Sequence, residues 1–194
     1  MLCIAWHILM MVLAMEFIKI VFATVVASIV YGILHDQVTA RVCVEYFTIG
    51  HPPIFRTEDP TVLAIGWGLV STWWVGVLLG LPLAVTARVG SRPKLSVRDI
   101  LRPLLVSMVC VGLLALLAGV FGFFATQRHL ISLGRLGERV PQDRHPVFMA
   151  DAWAHSLAYT GGFLAGVALL TWVWKERKRR AARTRSEAVT QGGK

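Results

Sequence analysis

The chain has 194 residues and a formal net charge of +9, with 56% hydrophobic residues, only 16% charged ones and a mean hydropathy of +0.63. Soluble domains carry roughly a quarter charged residues, so this composition excludes an ordinary soluble globule and points to lipid as the solvent. The cysteines Cys3, Cys43 and Cys110 form no CxxC, which leaves a thiol-redox pair and a zinc ribbon without support.

Residues 1–14, MLCIAWHILMMVLA, are apolar but lack the basic start of a signal peptide. Residues 1–15 therefore read as a leader or as an extension of the first span, with Met15 the favoured true start. A helix needs about 20 apolar residues to cross the hydrocarbon core. The first such span is 17–34, where Lys19 can snorkel to the interface.

The segment HDQVTARVCVEYFTIGH (35–51) follows directly. Val38, Ala40, Val42, Val44 and Tyr46 alternate with Gln37, Thr39, Arg41, Cys43 and Glu45. Period two with β-branched residues predicts a short, half-buried strand lying on the bundle end. The second outer loop, HLISLGRL at 129–136, is its natural pairing partner. Gly50 then ends the segment, and HPPIF forces extended chain.

The second span is 61–85, the third 104–126 and the fourth 152–174. Small-xxx-small spacings at Gly76/Gly80, Ala115/Gly119 and Ala158/Gly162/Gly166 predict close helix contacts. Pro82 is expected to kink the end of the second span. Trp67, Trp73 and Trp74 read as packing or interfacial groups, and Trp172 and Trp174 as an interfacial belt.

Arg88, Arg92, Lys94, Arg98 and Arg102 lie between spans two and three, and residues 176–194 form a basic tail that begins with ERKRRAARTR. The other two loops hold only Arg41, Arg56, Arg128, Arg135, Arg139 and Arg144. The positive-inside rule therefore puts both termini in the cytoplasm and the loops 35–60 and 127–151 outside, facing the periplasm if the cell is bacterial. The tail reads as a topology anchor able to touch anionic lipid rather than nucleic acid, and its last residues, SEAVTQGGK, as disordered.

Five of the six histidines then share the outer side: His35, His51, His129, His145 and His155, with His7 in the leader. Asp151 and His155 have i, i+4 spacing, which puts both on one helix face. That spacing suits a shared ligand, and it equally suits a capping aspartate bonded to the histidine. Imidazoles with carboxylates suit zinc, iron or copper. The candidate ligands are His35, Glu45, His51, Asp151 and His155, followed by His129 and His145, with Asp36 and Tyr46 orienting them. Haem between His35 and His155 is a second option. Satisfied polar pairs, His35–Asp36 and Asp151–His155, are a third. There is no HExxH, G-x-S-x-G, GxGxxG or phosphate loop to name a reaction.

The string HDQVT followed by EYFT, over residues 31–51, resembles a signature of small bacterial integral membrane proteins without an assigned activity. The resemblance implies only that this loop is a family hallmark. The expected architecture is an all-α membrane protein, a four-helix transmembrane bundle with a small outer cap containing a short strand. Its expected function is metal binding in that cap, with redox or hydrolytic chemistry. The rival expectation is a non-catalytic scaffold or assembly subunit, self-associating or binding another envelope component.

Overall fold

A computed structural model describes the backbone of residues 2–192 and the side chains of residues 15–191. The expectations for residues 1–14, His7 included, fall outside the described side chains. The elements run α1 (Leu2–Val42), α2 (Val44–Thr48), α3 (Pro60–Arg88), α4 (Val97–Gln127) and α5 (His145–Gly192). Two 3-10 turns, Gly134–Glu138 and Gln142–Arg144, lie between α4 and α5. Four helical stretches, Met15–Val42, Pro60–Arg88, Val97–Gln127 and Gln142–Gln191, are long and apolar enough to cross a membrane.

The segment expected to be a strand is helical instead, and the described residues contain no strand. A continuous stripe explains why. Phe22, Val26, Val30, Leu34, Val38 and Val42 recur every fourth residue and are all exposed. Asp36, Thr39, Ala40 and Cys43 are buried, at helical spacing. The apolar stripe faces away from the protein core, as the outer face of a helix in lipid does. The alternation at 38–46 arose from reading its members as inward-facing. The tail is likewise helical through residue 192 rather than irregular from residue 186.

Local chemistry fixes the helix ends. Asp59 caps α3, accepting from the backbone N–H of Thr61 and Val62 at 2.9 Å each, with Pro60 following. Asp99 accepts from the Ser96 N–H at 2.7 Å at the start of α4. Glu16 reaches across from α1 and accepts from Val97 N–H at 3.1 Å, placing negative charge at the positive end of α4. Arg177 is only 5% exposed and donates to the backbone carbonyls of Thr86, Val89, Arg92 and Pro93. It thus ties the end of α3 and the following loop to α5. Arg180 adds a 2.8 Å pair with Asp99.

The bundle is built from two hairpins, α1 with α3 and α4 with α5, which touch each other far less than their own members touch. Glycine sets both tight seams. A Cβ at Gly76 would lie 2.5 Å from Val25 Cα, and one at Gly122 would lie 2.6 Å from the Met149 carbonyl oxygen. Gly76/Gly80 and Ala115/Gly119 therefore sit at helix contacts as expected. Gly162 does not: a Cβ there would meet nothing within 4 Å. Near the arginine-rich end, Ile20, Leu83, Ala84, Leu95, Ile100 and Val173 close an apolar core. At the histidine end, Cys43, Val140 and Phe148 join α2 to the turns before α5.

Candidate metal centre

Because α1 continues past residue 34, His35 and Asp36 stand on a helix rather than on a loop. Tyr31 lies one turn earlier, its ring stacked with His35 at 5.8 Å between centroids. From the other hairpin, α5 brings His155 across. Its Nε2 lies 3.2 Å from Asp36 Oδ1, and its ring meets His35 edge-to-face at 4.6 Å. Ligand atoms of His35, Asp36 and His155 all lie within 4.8 Å of one another.

The second nitrogen of His155 decides how this cluster behaves. Nδ1 lies 2.8 Å from the backbone carbonyl of Asp151, which can only accept, so Nδ1 carries the hydrogen. In a neutral imidazole, Nε2 then bears a lone pair. That lone pair faces a carboxylate oxygen, another acceptor. Two buried acceptors at 3.2 Å require a cation between them, either a proton or a metal ion. The Nε2 of His35, also buried, has no protein hydrogen-bond partner. A tautomer fixed by a backbone carbonyl is how metal-ligating histidines are usually oriented.

The remaining expected residues divide. His51 donates from Nδ1 to the Tyr46 carbonyl at 2.9 Å and lies against Trp67 at 4.7 Å. Burial pushes its pKa below 6.5 despite that hydrogen bond. Its ring helps line a cavity of about 190 Å³ that also reaches Asp36 and His155. Tyr46 packs on the His155 ring at 4.5 Å and holds it in place. Asp151 is 2% exposed and its Oδ2 is unpaired, yet its backbone carbonyl, not its carboxylate, meets His155.

Glu45 stands apart from the cluster, in a two-pronged pair with Arg144 at 3.0 and 3.1 Å. Burial opposes its charge, but Arg144, the backbone and the Cys43 thiol together hold its carboxyl below the ordinary range. Burial and the Glu45 carboxylate push the Cys43 thiol up to about 12, so it behaves as a small hydrophobe rather than a nucleophile. His129 is exposed in the left-handed region at φ 56°. His145 Nε2 faces the Gly137 and Val140 carbonyls at 3.2 and 3.0 Å. Neither belongs to the three-residue group of potential metal ligands.

Sequence reasoning assigned Asp36 only an orienting part and passed over Tyr31, Trp67 and Tyr159 as site residues. The helical i, i+4 relation of Tyr31 to His35 was the available signal. The strand reading hid it. No protein-family model, curated protein or solved structure matches the chain.

Proposed function

We propose that this protein is a multi-pass membrane protein holding a transition-metal ion at the outward end of its bundle, with His35, Asp36 and His155 as ligands. The observation that carries the reading is the lone pair of His155 Nε2 facing Asp36 Oδ1 at 3.2 Å. Two donors each about 2.1 Å from one ion are separated by roughly 3.0 Å in an octahedral site and 3.4 Å in a tetrahedral one. The 3.2 Å separation falls between. His35 completes the set if its ring closes in, since ligand atoms now up to 4.8 Å apart must come to about 3.0–3.4 Å around one ion. Two imidazoles and one carboxylate leave open positions, the arrangement of hydrolytic zinc and of oxygen-activating iron. A bound ion would supply Lewis-acid or redox chemistry there. The direct ring contact between His35 and His155 leaves no gap for a porphyrin, which favours a bare ion over haem.

Basic residues crowd the other end of the bundle, which supports cytoplasmic termini and a cluster on the outer side of a bacterial inner membrane. The α2 segment and the 133–140 turns form the outer cap. Among the tail cations, Arg177 is committed to backbone carbonyls, so anionic lipid would meet Lys178, Arg179, Arg183 and Arg185. The rival assignment, a scaffold whose His155–Asp36 pair merely shares a proton, is separated by elemental analysis. Purified full-length protein should retain about one transition-metal ion per chain, and His35→Ala and His155→Ala should each abolish it. Metal-free protein that cannot be loaded, with both variants behaving normally, refutes the metal centre.

A further inference from the structure

The two hairpins enclose a long cavity on the membrane side of the cluster. It begins at Tyr31, His35, Asp36 and His155 and continues between the hairpins to Leu83 and Leu169. From His155 to Leu169 the α5 wall runs on the order of 20 Å. The enclosed volume is about 130 Å³ and the cavity is open along one side, so it is a slot that covers a chain in part rather than a closed pocket.

Its walls are more apolar than their sequence suggests. Thr24, Ser71, Thr72 and Ser107 line it, and each hydroxyl donates to a carbonyl one turn back on its own helix; Ser28 also lines it, without such a bond. No arginine or lysine lines the cavity. Ala158 and Gly162 face it, and a Cβ at Gly162 would meet nothing within 4 Å. Here small residues make room rather than a helix contact. At the polar end, the Tyr31 hydroxyl and His35 Nε2 are buried and unpartnered.

We infer that this cavity binds one long-chain amphiphile, its hydrocarbon chain between the hairpins and a neutral oxygen-bearing head at Tyr31, His35, Asp36 and His155. No arginine or lysine stands at the head end, so in metal-free protein an anionic head would find no cation and its charge would oppose that of Asp36. A hydroxyl or carbonyl head could accept from Tyr31 or bind the ion, while the chain lies along the apolar walls between the hairpins. The inference deepens the metal-centre reading, whose ligands form the head end of the cavity.

Native mass spectrometry of the full-length protein in detergent tests it, with 1-hexadecanol, 1-butanol and hexadecyl phosphate as probes. One hexadecanol should bind per chain, butanol should not register, and hexadecyl phosphate, offered to chelator-treated protein, should bind at least 10-fold more weakly than hexadecanol does. Gly162→Leu, which fills the slot, should weaken hexadecanol at least 10-fold; Ala158→Leu serves if the first variant is not monodisperse. Absent hexadecanol binding, equal binding in the filled variants, or equal binding of the phosphate overturns the inference. Metal content and metal loading measured on untreated samples score the metal centre separately: slot-dependent hexadecanol binding in protein that cannot be loaded with metal refutes the ion alone.

Discussion

The same substitution, glycine to alanine, should have opposite effects at two positions in this bundle. At Gly76 the new Cβ would sit 2.5 Å from Val25 Cα and 2.9 Å from the Thr24 carbonyl oxygen. Those are backbone atoms, so no flexible side chain can swing aside. Ordinary contact begins near 3.4 Å, and α1 and α3 must part by roughly 1 Å along that seam. Overpacking of this kind costs about 1–3 kcal/mol, against a helix-propensity gain of about 1 kcal/mol. Gly76→Ala should therefore be destabilising by up to about 2 kcal/mol. At Gly162 the Cβ meets nothing within 4 Å, so only the propensity term remains. Gly162→Ala should be neutral or stabilising by up to about 1 kcal/mol. Reversible unfolding in mixed detergent micelles, followed by tryptophan fluorescence, gives both values on one scale. Equal effects, or a larger loss at Gly162, would refute the two-hairpin packing with a slot between.

Asp36→Asn keeps the shape of the Asp36 side chain and lets its amide donate to His155 Nε2, so unfolding should change by less than about 1 kcal/mol. Metal affinity should nonetheless fall at least about 100-fold, read by competition with a chromogenic chelator. Arg144→Gln should cost about 1 kcal/mol, a value discounted for the partial exposure of its pair with Glu45. The same residues set a pH dependence. His51 is held below its ordinary 6.5 and Glu45 below its ordinary 4.5. In each window the unfolded chain binds more protons, so stability should decline as pH falls below 6.5 and again below 4.5. Arg144→Gln should blunt only the lower step, as unfolding midpoints across pH would show. Arg177→Gln should cost about 2–4 kcal/mol by leaving carbonyls at the end of α3 without their donor. Limited proteolysis should then cut the loop at 89–96.

Hydropathy picked out the four long apolar helices, because crossing lipid demands long apolar runs whatever the packing. It placed their ends poorly. Val97–Leu104 and residues 145–151 continue helices into polar surroundings, where capping by Glu16 and the turns at 134–144 decides the matter. The strand error at 38–46 has a physical origin. In lipid the apolar stripe of Val38 and Val42 faces outward, so patterns learned from soluble cores point the wrong way. The gathering of histidines on one side was legible, and it led to His35 and His155. Which carboxylate joins them was not. Asp36 outranks Glu45 because helical continuation turns it inward, while Arg144, 99 residues away in sequence, captures Glu45. The open slot at Gly162 was equally hidden, since small-xxx-small spacing is the same whether a helix or a cavity faces it.

X-ray absorption at the metal edge of the loaded full-length protein tests the central claim most directly. The account expects two imidazole nitrogens and carboxylate oxygen at about 2.0–2.2 Å, with one imidazole lost in His35→Ala or His155→Ala. A shell containing only oxygen, or a spectrum unchanged in both variants, would contradict it.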